Sequence, residues 1–142
     1  MEKCIFCKIV KKKTPSLTVY EDKFVMAFAP LKETSIGKGH ILVIPKKHYQ
    51  DIYDIPDEYL CKIIIATKKI SKSLKIKFKA NGINILHASG RVGQQSVFHF
   101  HLHLIPRFKN DGLNTWPKTN YKVSDDFESI YREMKKEIIK RH

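Results

Sequence analysis

Three histidines at alternate positions, His99, His101 and His103, stand in the run Val97-Phe98-His99-Phe100-His101-Leu102-His103-Leu104-Ile105-Pro106. On a strand, a period of two sends the three imidazoles to one face and Phe98, Phe100, Leu102 and Leu104 to the other, with neighbouring imidazoles about 6.6 Å apart at their Cα atoms. Such an array has three uses. It can be a polar, half-exposed strand face; it can converge on zinc; or one imidazole can act as nucleophile or acid-base group while its neighbours fix its tautomer and neutralise charge. Directly upstream, Gln95 and Ser96 supply an amide and a hydroxyl suited to phosphate or leaving-group oxygens. His40 opens an apolar run after the polar, glycine-bearing segment Lys32 to Gly39. Cys4 and Cys7 form a Cys-x-x-Cys pair, which alone is half a zinc site, a redox motif or two buried thiols. Cys61, among apolar neighbours, is expected in the core.

The elements that must hold these groups follow from periodicity. Val19 to Phe28 reads as a hairpin of two short strands about Asp22-Lys23. His40 to Pro45 is a nearly continuous apolar strand closed by proline. Asp54 offers an N-cap, with Pro56 tolerated in the first turn and Asp57 at the third helical position. Beyond it Leu60, Ile63, Ile64, Thr67, Ile70 and Leu74 recur at helical spacing, with Lys68, Lys72, Lys75 and Lys79 on another side, which predicts a helix over 57–76. Asn81-Gly82 marks a turn before a strand at Ile83 to Leu86, His87 to Gln94 is a small-residue polar loop, and Ser96 to Ile105 is again strand-like. A last helix over about 125–140 carries the apolar stripe Phe127, Ile130, Tyr131, Met134 and Ile138, with Ser124, Asp125 and Asp126 at its start and Lys140 and Arg141 at its end to suit the dipole. This order of elements predicts an α+β fold with a mainly antiparallel sheet.

Composition bounds the function. The chain has 142 residues, with 27 Lys+Arg against 14 Asp+Glu for a formal net charge of +13. Those lysines are spread over 11–13, 46–47, 135–136 and the helix, without interleaved aromatic residues to stack bases, which argues against specific nucleic-acid binding. Apolar runs are broken by lysines far short of a membrane span. The segment Met1-Glu2-Lys3-Cys4 lacks the apolar core of a signal peptide, so the expected location is cytoplasmic.

His99-Phe100-His101-Leu102-His103-Leu104-Ile105, preceded by Gln95-Ser96-Val97 and followed by Pro106-Arg107, resembles the signature of the histidine triad (HIT) family of nucleotide hydrolases and transferases. Cys4-Ile5-Phe6-Cys7-Lys8-Ile9-Val10, Val19-Tyr20-Glu21-Asp22 and Gly39-His40-Ile41-Leu42-Val43-Ile44-Pro45-Lys46-Lys47-His48 are similar to further family landmarks, in the same order, and point to its zinc-containing, bacterial-type branch. The resemblance implies one HIT domain over 1–142, with core motifs in 1–110 and a C-terminal extension over 111–142. It also implies a five-stranded, mainly antiparallel sheet with a long central helix, paired as a homodimer.

By the same resemblance His101 is the nucleophile, attacking the α-phosphorus of a purine nucleotide of AMP type, a nucleoside phosphoramidate or a dinucleoside polyphosphate. A covalent nucleotidyl-histidine forms and a nucleoside monophosphate is released. His40 and His103 match positions around the phosphate and the nucleophile, and Gln95 and Ser96 match residues that place phosphate oxygens and the leaving group. Cys4, Cys7, His48 and His99 match a structural zinc set, and no redox cofactor is implied. Departures fall at Lys32, where many relatives carry an Asp or Asn on the ribose, and at Gln94 and Ala88. The alternative reading is a purine-nucleotide-binding regulatory protein with weak or no catalysis.

Overall fold

Strands alternately buried on two faces need cover on both, and here two helices supply it. The structure, a computed structural model, describes residues 4–116 and 126–140. Its elements are α1 (Ile5–Val10), β1 (Thr18–Glu21), β2 (Val25–Phe28), a single 3-10 turn at Lys32–Thr34, β3 (Ile41–Pro45), α2 (Asp57–Phe78), β4 (Gly82–Leu86), β5 (Leu102–Arg107) and α3 (Phe127–Lys140). The strands form one sheet in the order β1-β2-β3-β5-β4, with every neighbouring pair antiparallel. One face, with Val25, Ala27, Ile41, Val43, Leu102 and Leu104, packs on Ile63, Ala66, Ile70 and Leu74 of α2. The other, with Met26, Phe28, Leu42 and Ile44, packs on Phe6 and Ile9 of α1. All residues of β2 and β3 are therefore buried, which explains why β3 reads as a continuous apolar run.

The hairpin forms where expected. Asp22 Oδ1 accepts the backbone N–H groups of Phe24 and Val25, both at 2.7 Å, and so satisfies the donors the tight turn would leave unpaired. Helix α2 runs two residues past the predicted end and stops at Lys79, in the left-handed region with φ 56°. Its N-cap is Pro56, without a side-chain hydrogen bond, and not Asp54. The Asp54 carboxylate instead accepts the N–H groups of Gln50 and Asp51 at 3.0 and 3.1 Å, a turn that competes for the same oxygens. Asp57 and Glu58 in the first turn complement the helix dipole. Two expectations for this helix fail: Cys61 is exposed, and Ile64, placed on the apolar stripe, is 54% exposed together with Ile65. The inward face is narrower and centres on Ile63, Ala66, Thr67, Ile70 and Leu74.

The strand expected over 96–105 begins only at Leu102. Its neighbours run out there: the β3 pairing ends at Val43 with Leu102, and the β4 pairing ends at Leu86 with His103. Residues upstream of Leu102 find other partners, and the Phe100 N–H donates to the Tyr49 carbonyl at 2.6 Å. Helix α3 starts at Phe127 and has no buried residue, so its apolar stripe is on the surface. Ser124, Asp125 and Arg141 lie outside the described residues. No described helix is long and apolar enough to cross a membrane.

Candidate active site

The side-chain alternation survives the early loss of the ladder. Phe100, Leu102 and Leu104 join the core beneath α2, while His99 and His101 turn toward Phe6 of α1. His99 is fully buried, His101 is 3% exposed, and His103 is half-buried. The family-like array is thus distributed over two adjoining sites, one built from sulfur and nitrogen donors, the other a cavity.

In the first site Cys4 sits at the N-cap of α1 and Cys7 one turn later, so both thiols reach His99, and His48 arrives from the segment after β3. Cys7 Sγ lies 3.3 Å from His48 Nδ1 and 3.7 Å from His99 Nδ1, Cys4 Sγ lies 3.6 Å from His99 Nδ1, and the two Nδ1 atoms are 3.2 Å apart. All four donor atoms lie within 4.8 Å of one another. A zinc ion at ~2.3 Å from sulfur and ~2.0 Å from nitrogen sets tetrahedral sulfur-nitrogen edges near ~3.5 Å and nitrogen-nitrogen edges near ~3.3 Å. The observed spacings fit. The His99 Nε2–H donates to the Pro45 carbonyl at 2.9 Å, which leaves the Nδ1 lone pair for a metal, the usual outer support of a metal-bound histidine. Burial raises the Cys7 thiol above its ordinary value in the absence of a metal charge.

The second site is a cavity of about 540 Å³ between α1, the segment after β2 and the end of the sheet. Phe6, Ile9, Phe28, Leu31 and Leu42 give it apolar walls, and His40, His101, His103 and Ser96 bring polar groups into it. Gly39, with φ 75°, lets the chain turn into β3 beside Pro106 and presents His40 inward. The hydrogen bonds fix each tautomer. His101 Nδ1–H donates to the His99 carbonyl at 2.7 Å, so Nε2 keeps its lone pair. His40 Nδ1 accepts the Ile36 N–H at 3.1 Å, so the neutral ring carries its proton on Nε2 and donates it to His103 Nδ1 at 3.0 Å. His103 in turn holds its proton on Nε2. The site therefore presents an acceptor nitrogen on His101 beside a donor nitrogen on His103, with ring centroids 5.0 Å apart. Burial, reinforced by the neighbouring His101, lowers His40 and His103 to about 4; burial also lowers His101, so all three are neutral at pH 7.

Gln95 is not brought into the cavity. It is buried, with its Nε2 donating to the Gln50 and Val97 carbonyls at 2.6 and 3.2 Å and its Oε1 accepting the Gly90 N–H at 2.8 Å, so the amide staples the loop that carries Ser96. Of the cations near the motifs, Lys46 pairs with Glu21 at 2.7 Å, Arg107 with Asp111 at 2.8 Å, Lys47 lies over the Tyr49 ring and Arg91 over the Phe98 ring. Among the described residues Lys32 is the one charged side chain lining the cavity. Two contributors leave no signal in the sequence. The wall supplied by Phe6 and Ile9 was hidden because a six-residue helix carries little periodic signal, and His87 lay in a loop without a pattern.

An antiparallel sheet whose fifth strand leads from a row of neutral histidines in a cavity, backed by a two-cysteine, two-histidine set, defines a histidine triad domain. The chain belongs to the HIT family, whose domain model matches residues 11–110. It is 41% identical over 128 residues to Protein hit of Bacillus subtilis, covering 89% of this chain and 85% of that one. It is 40% identical over 116 residues to adenosine 5'-monophosphoramidase HNT1 of Saccharomyces cerevisiae, covering 80% and 70%. The fold superposes with a TM-score of 0.75 on the crystal structure of a zinc-bound histidine triad family protein from Mycobacterium smegmatis, at 31% identity and covering 92% of this chain and 89% of that one.

The lowered histidines have a consequence for stability. An unfolded histidine binds its proton near pH 6.5, whereas His40 and His103 in the native state bind theirs only near pH 4. Between those values the unfolded chain holds more protons at these two positions, so their contribution to stability is fully present above about pH 6.5 and is lost as the pH drops toward 4. Urea unfolding at a series of pH values is expected to show this decline, with a shallower slope in His103→Asn; parallel slopes for the two proteins would contradict it.

Proposed function

We propose that the protein is a nucleotide hydrolase or nucleotidyl transferase that cleaves at the α-phosphorus of purine nucleoside phosphoramidates, and of dinucleoside polyphosphates as the second substrate class. The reading rests on the tautomer of His101, whose Nδ1–H is tied to the His99 carbonyl at 2.7 Å while Nε2 stays an uncharged lone pair beside the cavity. An apolar cavity of about 540 Å³ suits one purine nucleoside. The preference for phosphoramidates is supported by the yeast relative that carries that activity in its name.

His101 Nε2 attacks the phosphorus. A nitrogen-phosphorus bond forms as the bond to the leaving amine or phosphate breaks, and the leaving group takes up one proton. Water then attacks the nucleotidyl-histidine; its oxygen bonds to phosphorus, the nitrogen-phosphorus bond breaks, and one proton is released, which restores the neutral imidazole and frees the nucleoside monophosphate. Splitting one displacement into two lowers each barrier. The Nε2–H of His103, aligned by His40, donates to a phosphate oxygen, where negative charge develops. The exposed hydroxyl of Ser96 serves the leaving group, and Gln95 acts beneath it by holding the loop. Cys4, Cys7, His48 and His99 would hold a zinc ion, which would supply a structural cross-link between α1, the segment after β3 and the segment that leads into β5. The reading includes a single cytoplasmic domain that dimerises through surfaces such as the exposed Ile64 and Ile65 of α2 and Ile85 on the edge strand β4.

Two outcomes follow from the site. His101→Ala is expected to lower turnover of adenosine 5'-phosphoramidate by roughly 10⁴-fold or more while leaving the circular dichroism spectrum intact, and turnover near the wild-type rate would remove His101 from the chemistry. Protein purified without added metal is expected to hold close to one zinc per chain by elemental analysis, and to lose it in Cys7→Ser. Wild-type protein that is folded, active and zinc-free would refute the metal assignment.

A further inference from the structure

One histidine, His87, lies outside the cavity lining and yet has both ring nitrogens engaged. His87 follows β4, is half-buried, and uses both ring nitrogens. Its Nδ1 lies 2.9 Å from the carbonyl oxygen of His101, and its Nε2 lies 2.8 Å from Ser89 Oγ. The ring stacks on Phe100, the residue before His101, with centroids 4.4 Å apart and planes at 29°.

These contacts have one consistent direction. A carbonyl only accepts, so His87 Nδ1 carries the proton, and in the neutral ring Nε2 accepts from the Ser89 hydroxyl. Ser89 Oγ in turn accepts the backbone N–H of Ile52 at 3.2 Å. The donors form a chain from Ile52 through Ser89 and His87 to His101, in which each bond polarises the next. It ends on the backbone of the residue proposed to attack phosphorus.

That backbone needs such support. The pairings of β5 with both neighbours stop at Leu102 and His103, so His101 lies beyond the ladder that would otherwise set its conformation. On one side its ring is tied to the His99 carbonyl at 2.7 Å. On the other its carbonyl is held by His87, and the orientation of that carbonyl helps to set the direction in which the Cα–Cβ bond points the imidazole. A nucleophile must be held within a fraction of an ångström of the line of attack.

We propose that His87 is a positioning residue, a fourth histidine that holds the His101 peptide so that Nε2 meets the phosphorus in line. The assignment rests on the reading of His101 as nucleophile. It predicts a loss in the chemical step, with substrate binding spared, because the cavity lining does not include His87.

The test compares His87→Ala, His87→Asn and Ser89→Ala on adenosine 5'-phosphoramidate, together with ¹⁵N spectra of histidine-labelled protein in which the His101 ring signals are assigned by their loss in His101→Ala. His87→Ala is expected to lower kcat about 10-fold to 100-fold with KM within about twofold of wild type, and to shift the His101 ring resonances. Asn at 87 keeps an N–H donor for the carbonyl and is expected to recover most of kcat. Ser89→Ala, which leaves the His101 contact in place and loosens the ring, is expected to give a smaller loss of the same kind, and it carries the test if His87→Ala does not fold. A kcat within twofold of wild type, an unrescued loss in His87→Asn, or unchanged His101 resonances would each overturn the proposal. Failure of the nucleophile reading is seen separately, as turnover retained by His101→Ala, and does not alter what the ring resonances report.

Discussion

The hydrogen bond from His101 Nδ1 to the carbonyl of His99 joins the two halves of the site. His99 directs its ring to two thiols and its backbone carbonyl to the His101 ring, so one residue links the sulfur-nitrogen set to the cavity. The bond also dictates which nitrogen of His101 is nucleophilic: with the proton held on Nδ1, only Nε2 has a lone pair to give. Almost everything else in the structure can be understood as holding this pair of residues still in a place where no strand ladder does so. Cys4 and Cys7 at the start of α1, the Pro45 carbonyl, the Tyr49 carbonyl and the His87 ring each hold one part of the 99–101 segment.

Burial sets the electrostatics of the site. Three imidazoles within hydrogen-bonding or ring contact of one another would repel if charged, and the apolar walls of Phe6, Phe28 and Leu42 make charging costlier still. They stay neutral, so the cavity offers one lone pair and oriented N–H donors in place of a block of positive charge. The formal charge of +13 consequently has little to do with the cavity: much of it lies on the exposed side of α2, and the cations beside the motifs are paired or laid over rings. Lys32 alone brings charge to the cavity wall among the described residues, where it adds attraction for a phosphate-bearing ligand.

How far the residues could be read in advance varied with the kind of interaction. The hairpin, β3, the buried face of α2 and the sidedness of the histidine run were legible because they depend on periodicity, and periodicity is local. The start of β5 was not, since it is set by where β3 and β4 end. Asp54 has the right chemistry for a cap but spends its carboxylate on Gln50 and Asp51, a choice between neighbouring donors that spacing does not resolve. Gln95 looked like a phosphate ligand by its position, yet the amide was needed to close its own loop. Cys4, Cys7, His48 and His99 were assembled from resemblance, and their donor atoms do converge. His87 was invisible because its role depends wholly on a contact with the main chain of a residue fourteen positions away.

Chemistry that passes through a bond between His101 and phosphorus leaves an intermediate that can be trapped. Rapid mixing of the protein with an adenosine phosphoramidate, quenching in alkali to preserve a phosphorus-nitrogen linkage, and peptide mass spectrometry locate any adduct. One adenylyl group is expected on the peptide containing His101, formed and lost at rates compatible with turnover and absent from His101→Ala. Turnover with the adduct on another residue, or turnover under the same quench with no adduct while isotopically labelled water inverts configuration at a chiral phosphorus, would contradict it.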